Sequence, residues 1–193
     1  MDLQFYCNHN ILLSDMITAR SYINLVLNFV LIFSSAFGGA NAIIVGYNVG
    51  SHDYDGAKKA TNLTFLICYP IILFLVTILN LSGKLIFPLI TSNTVILNAI
   101  YTVIPIVFLL ESRRCVNLIY INMLKSSGDT IYPVVCAIFS MFLIASFGSY
   151  LFVSVFHFGL IGIFLAQTLD EITRAFLVLL RFKSNKWMNK SIV

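Results

Sequence analysis

Two short groups of charged residues stand inside long apolar stretches of the sequence. Each group combines acidic and basic side chains, and together they comprise Glu111, Arg113, Arg114, Asp170, Glu171 and Arg174. Carboxylates and guanidinium groups can form ion pairs, and carboxylates inside a membrane are also used to relay protons or cations. The two groups contain three acids and three bases in total, so the sequence predicts that they neutralise each other.

Whether the groups can meet depends on the elements that carry them, and composition indicates membrane-spanning helices. Hydrophobic residues make up 59% and charged residues 10% of the 193 residues, against about 25% charged residues in an ordinary soluble domain. Windows of at least about 18 residues with few charges predict five transmembrane helices. They cover residues 21–48, 60–82, 94–123, 132–156 and 158–181. The predicted fold is an all-α membrane protein, a bundle of about five transmembrane helices.

The two charged groups fall on the third and fifth predicted helices, which run in the same direction. Glu111 and Arg114 are spaced i,i+3 and Asp170 and Arg174 i,i+4, the separations at which helical side chains meet. Each group lies about 16 Å from the basic residue that ends its helix, so both sit at similar depth. Six such residues facing lipid would cost on the order of 15 to 20 kcal/mol. They are expected to face each other or water, either as structural ion pairs or as a path that couples ions to movement.

Basic residues set the predicted orientation and domain limits. The tail carries Arg181, Lys183, Lys186 and Lys190, which predicts a cytoplasmic C-terminus in the cell membrane. The chain divides into a remnant N-terminal segment at residues 1–16, a five-span lobe at residues 17–182 and a basic cytoplasmic tail at residues 183–193. Such a five-span lobe is expected to be part of a larger bundle.

Glycines and prolines inside the predicted helices indicate packing and bending. In the first helix Gly39, Gly46 and Gly50 belong to a ridge of small side chains, which is predicted to let another backbone come close. Pro70 and Pro105 each remove one backbone hydrogen bond inside a predicted span, and both are candidate hinges.

Other functional classes find little support in the sequence. The four cysteines are far apart and form no CxxC pair, so neither a metal site nor a disulfide is predicted. No phosphate-binding glycine loop or nucleophile elbow is present, and no enzyme activity or catalytic residue is expected. The net charge of +4 does not indicate nucleic-acid binding, because the basic residues follow the ends of apolar helices.

The stretch ESRRCVNLIYINMLKSSGDTIYP resembles a segment of the multidrug and toxic compound extrusion (MATE) proteins. The matching positions are Glu111, Arg114, Asn117, Asn122, Leu124, Lys125, Gly128, Asp129 and Pro133. FGGANAIIVGYNVGSHDYDGAKKAT and LDEITRAFLVLLRFKSNKW are similar to two further stretches of the family, and the order holds over roughly residues 17–187. Departures are Tyr47 in place of Gln, Lys125 in place of Arg, and Arg114 where a sodium-coupled branch has an acid.

The resemblance implies a transporter with two six-helix lobes around a substrate cavity. This chain would be the C-terminal lobe without its first helix, half of an antiporter that exports small amphipathic or cationic substrates. Its partners would be the lipid bilayer and a missing N-terminal lobe, in the same or a separate chain, with no nucleic acid and no cofactor besides H⁺ or Na⁺ as coupling ion. The predicted intramembrane polar network comprises Glu111, Arg113, Arg114, Asn117, Asp170, Glu171 and Arg174.

Two alternatives to a working antiporter lobe stay open. One is a truncated or split-gene fragment that has no transport activity alone. The other is a relative of the lipid-linked saccharide flippases, which share the general architecture but normally carry more cationic residues in the cavity.

Overall fold

The computed structural model describes the backbone of residues 2–190 and the side chains of residues 14–190. Within that range the chain is helical and contains no β-strand. The elements are α1 (Asp2–Gly50), α2 (Tyr54–Ile90), α3 (Thr94–Ser126), α4 (Ile131–Val155), α5 (Gly159–Lys183) and a final 3₁₀ turn, Met188–Lys190. The predicted all-α bundle is confirmed, and residues 2–16 continue the same helix as the first predicted span.

Four of the described helices are long and apolar enough to cross a membrane, namely α1 from Ser14 onward, α2, α3 and α4. The 25 residues of α5 also suffice, since they extend about 37 Å, but the charges near its middle make its composition more polar. Large apolar side chains point outward from the bundle. On α2, for example, Leu81, Leu85 and Leu89 are 77%, 75% and 87% exposed, which suits a surface in contact with lipid.

The connection between α2 and α3 differs from the prediction. The second helix is predicted to end at residue 82, but α2 continues through Gly83 and ends at Ile90. Gly83 is buried, and a Cβ there would lie 2.9 Å from the Ile104 side chain, so this glycine brings α2 close to α3 instead of ending the helix. The chain turns at residues 91–93, where the Asn93 side chain accepts a hydrogen bond from the Val95 N–H at 2.9 Å and caps α3.

Helix α3 lies at the centre of the bundle. It packs against α1, α2 and α5, while α4 packs mainly against α5. Buried apolar side chains form two clusters, one of which includes Ile100 and Leu110 of α3 and the other Cys115, Ile119 and Met123. The charged segment of α3 lies between Leu110 and the second cluster, so it marks the boundary between the two apolar regions.

One glycine of α1 makes a close helix contact, and it is not one of those predicted. A Cβ on Gly38 would lie 2.7 Å from Nδ2 of Asn122 and 3.0 Å from a backbone oxygen of α3. A Cβ on Gly39, Gly46 or Gly50 would meet no described atom within 4 Å. The predicted ridge therefore does not pack against another described helix of this chain, because the face that contacts α3 is turned by about 100°, one residue away.

The predicted hinge residues lie in uninterrupted helix. Pro70 is inside α2, together with Pro88, and Pro105 is inside α3. Both predicted prolines are exposed, so each ring lies on the outer surface. Bending at these positions stays a prediction.

Backbone irregularity is instead found in α4. Two segments, Met141–Ser146 and Leu151–Val155, are π-helical, and the Ser146 hydroxyl donates to the Met141 carbonyl at 3.0 Å. Such segments occur frequently at functional sites. No residue in either segment is buried, so this half of α4 is poorly covered by the described part of the bundle.

The tail after α5 folds back onto the bundle. Trp187 of this tail is fully buried. Its ring stacks on Phe182 with centroids 6.4 Å apart and meets Tyr54 at 6.1 Å, and its Nε1 donates to the Phe182 carbonyl at 3.2 Å. Residues 184–190 are therefore attached to the helices by an aromatic anchor.

Candidate functional site

One part of the charged network joins α3 to α5. Arg114 pairs with Glu111 one turn earlier, with 2.5 Å between Nη1 and Oε1. Its Nε lies 3.5 Å from Oε1 of Glu171 on α5. Nδ2 of Asn117 donates to Oε2 of Glu171 at 2.5 Å and to the backbone oxygen of the same residue at 3.0 Å. Two side chains of α3 thus hold one carboxylate of α5.

The other part joins α5 to α4. Nη2 of Arg174 lies 2.5 Å from Oδ2 of Asp170, and its Nε donates to the Ser140 hydroxyl of α4 at 3.3 Å. Ser140 is buried, and its own hydroxyl donates to the Ala137 carbonyl at 3.3 Å, which leaves oxygen lone pairs for the arginine. Sequence reasoning missed Ser140, because nothing distinguishes it from the other serines of apolar helices.

Arg113 lies apart from this network. Its side chain is exposed and forms no ion pair with any residue between 14 and 190. Consecutive residues of an α-helix point about 100° apart, so Arg113 and Arg114 cannot both face α5. The expected match of three acids with three bases does not hold, since the network contains three carboxylates and two guanidinium groups.

The network leaves several oxygen atoms without a hydrogen-bond partner. Among the described residues these are Oε2 of Glu111, Oδ1 of Asn117 and Oδ1 of Asp170, all buried. Glu111 is 1% exposed, whereas its partner Arg114 is 27% exposed. Burying a carboxylate without full pairing costs several kcal/mol. The excess carboxylate therefore needs a proton, a cation, water or a further polar group to be tolerated within a membrane.

The network lies near the middle of both helices that carry it. Arg114 precedes Lys125 on α3 by eleven residues, and Asp170 precedes Arg181 on α5 by eleven residues. Each interval corresponds to about 16 Å, close to half the thickness of the hydrocarbon core of a bilayer. A charge in the middle of a membrane-spanning helix is far from both membrane surfaces.

A second ion pair ties α5 to the turn before α4. Asp129 in this turn is buried and lies 2.6 Å from Nε of Arg181. The same guanidinium lies 4.8 Å from the centre of the Tyr132 ring, whose hydroxyl donates to the Leu177 carbonyl at 3.2 Å. The sequence signal was weak, because the two charged residues are separated by 52 positions.

Comparison with known proteins gives two matches. The family model described as MatE matches residues 11–151 of the chain. YisQ of Bacillus subtilis (strain 168), described as an uncharacterized transporter, is 28% identical over 179 residues, which cover 93% of this chain and 39% of the relative. The chain thus spans well under half the length of this relative. No solved structure matches the chain.

Proposed function

Because the chain belongs to the MatE family of membrane transporters, we propose that it forms one lobe of an antiporter that exports small amphipathic or cationic compounds in exchange for a coupling ion. Further helices complete the substrate cavity, since the chain spans only 39% of the length of the Bacillus relative. The lobe lies in the cell membrane with its lysine-rich end in the cytoplasm. This orientation follows from the basic residues that cluster at that end.

The observation that carries the proposal is the excess of acid in the α3–α5 network. Three carboxylates share two arginines, and oxygens of Glu111 and Asp170 stay buried without a partner among the described residues. A fully matched set of charges would only stabilise the packing of the helices. One unmatched carboxylate within the bilayer is instead stabilised when a positive ion binds to it, so it can take up and release such an ion.

The coupling ion that fits this network best is H⁺. A proton needs one free carboxylate oxygen, whereas a hard metal cation needs several oxygen ligands around it. The free oxygens of Glu111 and Asn117 belong to residues six positions apart on α3, which point to different faces of the helix. In addition, the guanidinium of Arg114 beside Glu111 repels a further cation.

Ion uptake would change how the helices are held together. Arg114 contacts both Glu111 on its own helix and Glu171 on α5. When Glu111 is neutralised by a proton, the arginine interacts more strongly with Glu171 and draws α3 toward α5. Because Arg174 on α5 is also hydrogen-bonded to Ser140, a movement of α5 would shift α4 as well. This sequence of contacts biases the lobe between two arrangements, as alternating access requires.

The test measures ion movement that depends on substrate. The chain is produced together with the rest of its transporter, and everted membrane vesicles are given a pH gradient or a Na⁺ gradient. We expect a cationic dye to dissipate the pH gradient and to have no effect on the Na⁺ gradient. Glu111→Gln is expected to abolish the response, because an amide cannot exchange a proton. Asp170→Asn is expected to abolish it as well, because Arg174 loses its carboxylate partner.

Asp55→Asn is the matched control, since it makes the same chemical change at an exposed carboxylate in the first turn of α2. It should keep the full response. Immunoblots of the vesicles establish that all variants reach the membrane in equal amounts. Unchanged coupling in both network variants would refute the role of the network, and transport that needs neither gradient would refute antiport.

A further inference from the structure

One end of the bundle carries most of its positive charge, and we call it the basic end. It comprises the α1–α2 and α3–α4 turns and the tail after α5. Its basic side chains are Lys58, Lys59, Lys125, Arg181, Lys183, Lys186 and Lys190, against Asp53, Asp55 and Asp129. Three of these lysines, Lys183, Lys186 and Lys190, are exposed and form no ion pair within the described residues. Their charge is therefore available to a partner.

Within the described residues, none of the three acids at this end forms an ion pair with Lys186 or Lys190. Asp129 is buried and already bound to Arg181 at 2.6 Å. The Asp53 carboxylate accepts a hydrogen bond from the Gly56 N–H at 2.8 Å as the cap of α2. A ligand that satisfies Lys186 and Lys190 has to bring its own negative charge.

Two pockets at the basic end share Tyr132 and Arg181 in their walls. The larger, of about 290 Å³, is also lined by the α3–α4 turn, Val135 and Lys190. The smaller, of about 200 Å³, is lined as well by Leu180, Ser184 and Lys186. A lysine thus lines each pocket, and Arg181, which pairs with Asp129, lines both.

An exposed apolar path leads from these pockets along the outside of the bundle. Ile131, Val135 and Ile138 recur at four- and three-residue steps on α4 and are 76%, 57% and 52% exposed. Leu180 of α5 is exposed beside the smaller pocket. Pockets lined by cations that continue into an apolar surface fit an amphiphile with an anionic head.

We propose that the two pockets at the basic end bind the headgroup of an anionic phospholipid, whose acyl chains lie along Ile131, Val135 and Ile138. Lys186 and Lys190 contact the phosphate. Anionic lipids fit the position of the site, because a basic pocket between membrane helices at the cytoplasmic side attracts them. A free phosphate ion would make no use of the apolar path.

The cytoplasmic position of this site rests on the orientation proposed above, but the site is separate from the antiport network and would act on the stability of the lobe. The headgroup would bridge the tail to the α3–α4 turn, since the two pockets are lined by residues of both. It would therefore hold α5 and the start of α4 together at the membrane surface. Loss of the lipid is expected to loosen this end without changing the charged network in the middle of the bundle.

The experiment measures lipid retention by the full chain. The protein is extracted from nanodiscs that contain phosphatidylcholine with either phosphatidylglycerol or cardiolipin, and native mass spectrometry counts the lipids that remain bound. We expect one anionic lipid to be retained in preference to phosphatidylcholine. The pair Lys186→Gln with Lys190→Gln should lower that preference by about 25-fold, since each lysine near the surface contributes a factor of about five.

Lys59→Gln is the matched control, because it removes an exposed lysine at the same end but outside both pockets. It should retain the lipid as the unmodified chain does. Val135→Ala, which shortens the apolar path and keeps every charge, should weaken retention too. Equal retention of phosphatidylcholine, an equal effect of Lys59→Gln, or displacement of the lipid by millimolar inorganic phosphate would each overturn the proposal.

Discussion

The contact at Gly38 allows a test of how α1 and α3 pack. A Cβ at this position would lie 2.7 Å from Nδ2 of Asn122 and 3.0 Å from the Leu118 carbonyl oxygen, whereas ordinary contacts begin at 3.4 Å. In Gly38→Ala the two helices would have to separate by about 0.4 Å at the backbone oxygen, unless that atom shifts. Overpacking of this kind costs about 1 to 3 kcal/mol.

The neighbouring residue supplies the reference for this measurement. Gly39→Ala adds the same methyl group, but a Cβ there meets no described atom within 4 Å. Alanine favours a helix over glycine by about 1 kcal/mol, and this gain is common to both variants. The difference between the two variants therefore isolates the steric cost, and we expect Gly38→Ala to be the less stable by about 1 to 3 kcal/mol.

The assay heats detergent-solubilised protein and follows the loss of the monodisperse peak in size-exclusion chromatography. Gly38→Ala should lose this peak several degrees below Gly39→Ala. Combining Gly38→Ala with Asn122→Ala removes the amide and should restore part of the difference. Equal midpoints for the two single variants, or a lower midpoint for Gly39→Ala, would show that the packing face of α1 is assigned incorrectly.

Three further outcomes follow from contacts at the basic end and in the core. Asp129→Asn should lower stability by roughly 3 kcal/mol in the same assay, because Arg181 loses its buried partner. Trp187 is the only tryptophan and is fully buried, so its fluorescence should be blue-shifted in the folded chain and shift to the red on unfolding, and Trp187→Ala should destabilise by about 3 to 5 kcal/mol. Cys68 and Cys115 have sulfur atoms 3.5 Å apart, so a membrane-permeant thiol oxidant should link them, as peptide mass spectrometry without reduction can detect. An unshifted emission maximum, or peptides that stay unlinked, would contradict these contacts.

The helices and the depth of the charged groups could be predicted from sequence alone. Long apolar windows give the spans, and the i,i+3 and i,i+4 spacings give the pairs Glu111 with Arg114 and Asp170 with Arg174. These features depend only on distance along one helix. Their consequences for coupling stay a proposal.

The rotation of each helix about its own axis could not be predicted. A membrane helix is apolar on all sides, so its pattern does not reveal which face meets a neighbour. For this reason sequence reasoning included Arg113 with Arg114 and selected Gly39 instead of Gly38. It also ended the second helix at residue 82, because the contact of Gly83 with Ile104 joins residues of different helices and is not visible in the sequence.

The attachment of α4 has a consequence for the order in which the chain assembles. Helix α4 packs mainly against α5. Since α5 is synthesised later, α4 has to be stable in the lipid before α5 is available to pack against it. It can do so, since residues 131–155 contain no acidic or basic side chain. Helix α5 is not expected to be stable in the lipid alone, because its charged residues Glu171 and Arg174 have their partners on α3 and α4. We therefore expect α4 to enter the bilayer first and to take its final position only when α5 packs against it.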